Sequence, residues 1–121
     1  MTDPRPRPTP PFRITPVVFH VLLAMSEEDA HGYGIMQEIE ERTRGSIRVG
    51  PGSLYFTLNR LQEAGMIREA SGAGGEGADS RRKYYRLTEL GRAILESELE
   101  TLSGIVELAR EKHVLRDEGA A

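Results

Sequence analysis

The chain has 121 residues, no cysteine and a formal net charge of -3, enough length for one domain that buries roughly two-thirds of its unfolded surface without a disulfide or metal staple. No stretch approaches the ~20 apolar residues of a membrane span and no charged, then apolar, leader opens the sequence, so a cytoplasmic location is expected, in keeping with the missing cysteines. The acidic total argues against indiscriminate coating of nucleic acid, but residues 44–86 carry eight Lys and Arg against four acids, while residues 1–43 carry four against seven and residues 87–121 four against eight. A basic centre between acidic flanks suits a surface that meets phosphate, although a solvated charge mosaic would look similar.

Residues 1–12 form a Pro/Arg-rich arm in which alternate residues lack an N–H donor, so neither helix nor ladder is expected. Its Arg5 and Arg7 suit either a minor groove or plain solvation. Thr15 before Pro16 signals a helix start, and the apolar run Val17 to Met25, interrupted by His20, reads as a buried first helix with a hydrogen-bonded core or interface histidine. Ser26-Glu27-Glu28-Asp29 is a polar turn with Asp29 as cap for the next helix. From His31 to Arg42, Ile35, Met36 and Ile39 fall at helical spacing, which predicts a second, amphipathic helix closed by Gly45. Ser46-Ile47-Arg48-Val49 alternates like a single edge strand.

The segment from Gly50 to Gly65 is the chain's best candidate for a DNA-reading helix. Gly50 suits the N-cap, Pro51 the first helical position, and Gly65 the left-handed residue beyond the end. Leu54, Leu58 and Leu61 make one inward stripe, which turns Ser53, Phe56, Thr57, Arg60 and Glu63 outward. Hydroxyls and a guanidinium on that face can hydrogen-bond base edges and phosphates; an ordinary amphipathic helix would need only that the face be polar.

Met66 to Ala70 and Arg81 to Leu87 read as two strands joined by the glycine-rich loop Ser71 to Ser80. Tyr85 and Leu87 face the core while Arg82, Tyr84 and Arg86 face outward. The loop lacks a P-loop or dinucleotide pattern, so a wing is expected rather than a nucleotide site. Thr88 caps a last helix running to about residues 113–116. Leu95, Leu99, Leu102, Val106 and Ala109 trace a short heptad seam in it, and a second row, Leu90, Ile94, Ile105, Leu108 and Leu115, widens the apolar face beyond what a small domain consumes. A homodimer is expected from that surplus.

The order helix, helix, short strand, helix, two-strand wing predicts a mainly α fold with a small antiparallel β-wing, a winged helix-turn-helix over residues 13–87, a dimerisation helix over 88–116 and a tail over 117–121. The phrases His31-Gly32-Tyr33-Gly34-Ile35, Pro51-Gly52-Ser53-Leu54-Tyr55 continuing to Gly65-Met66-Ile67, and Arg82-Lys83-Tyr84-Tyr85-Arg86-Leu87-Thr88-Glu89-Leu90-Gly91 stand in the order and spacing of the PadR-like transcriptional regulators, which the sequence resembles over most of residues 17–92. The resemblance implies a homodimeric repressor with residues 51–64 in the major groove, Ser53 and Thr57 facing bases, Tyr55 near a phosphate, and the wing around Arg81, Arg82 and Lys83 on the adjacent backbone. Asn59 and Arg60 complete the implied DNA-binding set. Phe56 stands where relatives commonly have proline. The family often senses small aromatic or cationic molecules, sometimes stacked on tryptophan; this chain has none, so an effector is allowed but not identified.

Two other classes compete. A winged-helix module binding a protein partner would use the same face without DNA. An enzyme finds almost no support, because His20, His31 and His113 lie far apart in sequence and no HExxH or GxSxG pattern or cysteine is present, so neither a metal site nor an activated nucleophile, and no cofactor, is expected.

Overall fold

The computed structural model describes residues 9–70 and 82–116. Helix α1 spans Pro16–Ala24, α2 Gly32–Arg42, α3 Pro51–Glu63 and α4 Glu89–Glu111; three short strands, β1 Ala30–His31, β2 Ile67–Glu69 and β3 Tyr84–Leu87, form one sheet. Both strand pairs are antiparallel and β3 lies in the middle, in the order β1-β3-β2. The result is a mainly helical winged helix-turn-helix with a small wing, as the pattern of elements predicts. Arg5, Arg7, the loop Ser71 to Ser80, Arg81 and the tail lie outside the described residues.

The helix ends follow local chemistry. Thr15 caps α1 by accepting the Val18 N–H, and Thr88 caps α4 by accepting from Gly91 at 3.0 Å. At the end of α3, Gly65 has φ +75°, its N–H reaches the Gln62 carbonyl and the Met66 N–H reaches that of Leu61, the paired bonds of a Schellman stop. Helix α4 stops the same way at Glu111, with His113 left-handed and Val114 N–H bonded to Ala109, so it is shorter than the apolar pattern alone suggests. In α2 the left-handed turn begins at Arg44, one residue before the expected Gly45.

One core joins α1, α2, α3, the sheet and the first turns of α4. Val21, Leu22, Ile35, Leu54, Leu58, Leu61 and Met66 are fully enclosed, and Tyr85 and Leu87 point inward from β3 as the alternation requires. Phe12, assigned to the arm by its neighbours' composition, packs against this core, and Ile14 is buried in it. The domain therefore begins earlier than residue 13.

Three expectations are corrected. Ser46 to Val49 is not a strand: the Ile47 N–H is satisfied by the Thr43 hydroxyl at 3.1 Å, and that hydroxyl also donates to Ile39 at 2.7 Å, so side-chain bonds replace a ladder. The strand beside β3 is instead Ala30–His31, whose residues pair with Tyr85 and Tyr84. Asp29 is not a helix cap either; His31 takes that position and Asp29 forms a bidentate ion pair with Arg86 at 2.8 and 2.7 Å. Finally, His20 is half-buried beside an open groove and makes no hydrogen bond among the described residues, which removes the core alternative and leaves that of an interface histidine.

The Arg86 guanidinium holds the Asp29 carboxyl below its ordinary pKa, against a smaller opposing effect of burial. The folded state thus favours the carboxylate, and the stabilisation is present above the unfolded pKa of ~3.9 and lost as pH falls through the lower folded value. Asp29→Asn should cost up to about 1 kcal/mol at neutral pH, the scale of a partly exposed pair. Urea denaturation repeated below the carboxylate range should find that penalty diminished; a penalty independent of pH would assign it to packing.

Candidate nucleic-acid interface

Helix α3 stands with Leu54, Leu58 and Leu61 sealed in the core and its other face in solvent. Ser53, Tyr55, Asn59 and Arg60 are exposed on it, and Thr57 is half-buried. Phe56 is 65% exposed, so it belongs to the outer face and not to the core. The Arg60 guanidinium lies 4.1 Å from the Phe12 ring centroid and 5.9 Å from that of Phe56. These cation–π contacts tie the N-terminal approach to α3 and hold the guanidinium at the surface.

The phrase His31-Gly32-Tyr33-Gly34 acquires a physical meaning here. His31 caps α2 by accepting the Gly34 N–H on Nδ1 at 3.1 Å. A Cβ on Gly34 would lie 3.2 Å from the His31 ring, and a Cβ on Gly32 would lie 2.8 Å from the Tyr55 hydroxyl oxygen and 3.1 Å from Cζ. The two glycines let an imidazole and a phenol lie directly on the first turn of α2. Tyr55 thereby docks α3 on α2, while His31 meets Tyr84 edge-to-face at a centroid distance of 5.2 Å and so reaches the wing strand.

Between these elements is an open cleft of about 700 Å³ bordered by His31, Tyr33, Tyr55, Asn59, Arg82 and Lys83. Four of the expected DNA-binding residues, Tyr55, Asn59, Arg82 and Lys83, therefore converge from two elements separated in sequence. Ser53, Thr57 and Arg60 share the helix but do not border the cleft, and Arg81 falls outside the described residues. Arg86, also expected on the basic outer surface, is engaged by Asp29. His31 is the residue that the sequence pattern left out: burial first, and then the charge of Arg82, lower its pKa, which favours the neutral ring. Its signal in the sequence is a hydrogen-bonding side chain directly before Gly-x-Gly at a helix start.

The apolar seam of α4 divides in two. Leu95, expected to join subunits, is only 4% exposed and packs in the chain's own core with Ile94; Leu99 is half-buried against that core. The first turns of the helix are consumed by the fold, because Arg92 bonds the Ser26 carbonyl and Gly91 sits against the Met66 carbonyl, where a Cβ has no room. Beyond them Leu102, Ile105, Val106 and Leu108 are all exposed, and Ala109 is half-buried. Among the described residues no group of His, Cys, Asp and Glu could hold a metal, and no helix is long and apolar enough to cross a membrane.

Gly32→Ala should destabilise the domain by at most about 1 kcal/mol through the clash with Tyr55, the low end of the overpacking range, because the half-exposed phenol can shift to relieve part of it. In a Tyr55→Ala background the same change should become neutral or mildly stabilising, since alanine is otherwise the better helix former. Chemical denaturation of the four proteins measures the cycle; an undiminished cost without Tyr55 would locate the strain elsewhere.

Comparison with known proteins agrees with this architecture. Residues 21–97, more than half of the chain, match the Transcriptional regulator PadR-like family. The transcriptional regulator Rv3488 of Mycobacterium tuberculosis is 36% identical over 101 residues, which cover 83% of this chain and 85% of that protein. The transcriptional regulator YqjI of Escherichia coli is also 36% identical, over 84% of this chain, but the match spans only 44% of that longer protein. Among solved structures, the PadR-like regulator BC4206 of Bacillus cereus superposes with a TM-score of 0.65 at 26% identity, covering 86% of this chain and 97% of that one. Bacillus subtilis PadR in complex with operator DNA shares the fold at a TM-score of 0.56 and 22% identity, covering 67% and 46%. The chain belongs to the PadR-like family of transcriptional regulators.

Proposed function

We propose that this regulator acts as a homodimeric repressor that reads a near-palindromic operator in double-stranded DNA, with α3 in the major groove and the start of β3 on the flanking backbone. The observation that carries the reading is the convergence of Tyr55 and Asn59 from α3 with Arg82 and Lys83 from the wing in one open cleft. Side chains on the reading helix meet base edges, while adjoining cations meet phosphate, and the two jobs separate affinity from specificity. A protein of the same fold, Bacillus subtilis PadR, is known in complex with operator DNA, which supports duplex DNA as the partner.

The dimer rests on the outer half of α4. Leu102, Ile105, Val106 and Leu108 have no apolar cover among the described residues, and a helix projecting in water is poorly stable on its own. A second copy packing the same stripe about a two-fold axis covers both and presents two reading helices at a spacing near one duplex turn, roughly 34 Å. The seam on this reading runs from Leu99 through Leu102 and Val106 to Ala109, widened by Ile105 and Leu108. An apolar effector entering the open groove of about 470 Å³ between Leu23 of α1 and Leu99 of α4 would bear directly on that pairing.

Fluorescence anisotropy against a duplex from the chain's own upstream region and a scrambled control, at two salt concentrations, tests the reading; equal binding to the two, followed by failure of selection from random DNA, overturns it. Arg82→Ala should weaken binding to every duplex and reduce the slope of log affinity against log salt by about one. Thr57→Ala should narrow the gap between operator and scrambled DNA by about 1–3 kcal/mol and leave the salt slope alone. Ile105→Asp should convert the dimer to a monomer in sedimentation while preserving the far-UV CD of the domain; a dimer that survives it would move the interface elsewhere.

A further inference from the structure

His31 Nδ1 accepts a hydrogen bond from the Gly34 N–H at 3.1 Å. A neutral imidazole has one acceptor nitrogen, so this bond fixes the proton on Nε2. Yet Nε2 lies 3.3 Å from Nη1 of Arg82, which is always a donor. The opposite tautomer only moves the conflict to Gly34, and a charged imidazolium would have it at both nitrogens. Among the described residues no carboxylate pairs with Arg82. The two donors thus approach one place with no acceptor between them among the described residues, at the rim of the cleft that also holds Tyr55, Asn59 and Lys83.

We infer that His31 Nε2–H and the Arg82 guanidinium together form a phosphate clamp, one oxygen of a single DNA backbone phosphodiester accepting from both. An anionic oxygen is the group that turns the unfavourable approach of two donors into a pair of charge-assisted bonds. The site is built by three elements: the capping bond from α2 sets the tautomer, the Tyr84 edge and the short β1 strand hold the ring beside β3, and Gly34 leaves room for it. Burial and the neighbouring Arg82 keep the free ring neutral. His31 therefore contributes a directed donor and no net charge, whereas Arg82 contributes the charge. This inference rests on the DNA-binding reading and adds to it a residue that is neither on the reading helix nor among the wing cations.

The test uses His31→Asn, because asparagine retains the helix cap but cannot reach the position of Nε2–H, together with Arg82→Ala and the double variant. Each is measured on a random-sequence duplex at several salt concentrations, with thermal unfolding as the check on folding. His31→Asn is expected to bind roughly tenfold more weakly at an unchanged salt slope, since a neutral donor displaces no counterion, with a melting temperature lowered only slightly by loss of the Tyr84 edge contact and the protein fully folded at the assay temperature. The double variant should lose clearly less than the product of the two single losses, because both donors serve one phosphate. Wild-type affinity in His31→Asn, or full additivity in the double variant, would overturn the clamp while leaving DNA binding in place. Should the unaltered protein bind no duplex at all, the DNA reading fails and inorganic phosphate decides the site. Long-range imidazole ¹H–¹⁵N spectra that shift at His31 Nε2 in the wild type and not in Arg82→Ala would retain an anion site; no shift in either would remove it.

Discussion

The contact of the Tyr55 phenol with the bare backbone of Gly32 is the constraint on how α3 meets α2, and the cleft at their junction depends on it. The three buried leucines fix which side of α3 is inward. The phenol then comes close to α2 because one helix supplies an aromatic and the other a position without a Cβ. His31 extends the same joint to the sheet by capping α2 with one nitrogen and presenting the other beside Arg82. α3, α2 and β3 thereby meet at one corner of the molecule, where the cleft lies.

A second joint of similar construction lies at the opposite end of α3. Gly65 ends the helix in a left-handed turn, its carbonyl accepts from the Thr88 hydroxyl at 2.6 Å, and the Met66 carbonyl accepts from the Thr88 N–H at 3.0 Å. Gly91 then lies so close to Met66 that no side chain could replace its hydrogen. The C-terminus of α3 and the N-terminus of α4 are consequently held backbone to backbone. Both joints rely on glycine for close approach and on a hydroxyl or imidazole for the cap, chemistry more directional than the leucine core between them.

Features that depend on residues within one or two turns were legible in the sequence: the caps at Thr15 and Thr88, the stop at Gly65, the inward leucines of α3, the alternation at Tyr85 and Leu87. Those that depend on distant partners were not. Asp29 looks like a helix cap until Arg86 is brought opposite it by strand pairing, and the alternating Ile47 and Val49 look like a strand because periodicity reports burial without reporting whether a ladder partner exists. Leu95 and Leu102 hold the same position in successive heptads, yet one is core and the other surface, since the repeat does not record where the domain ends along the helix. In the site, the α3 face and the wing cations were readable from composition and position; the cap that His31 gives α2 is local but was masked by Asp29, a commoner capping residue, and its approach to Arg82 depends on a partner 51 residues away.

Thr88 is a single residue between the last strand of the wing and a helix of 23 residues. With its hydroxyl capping the helix and its amide bonded to Met66, it leaves no flexible connector between Leu87 and Glu89. At 1.5 Å per residue the helix is about 35 Å long. Its first turns are clamped in the core through Gly91, Ile94 and Leu95, while Leu102 to Leu108 stand in solvent. Such a helix is a lever arm with its pivot at the strand-to-helix junction: a small change of angle there becomes a large displacement at the exposed apolar end.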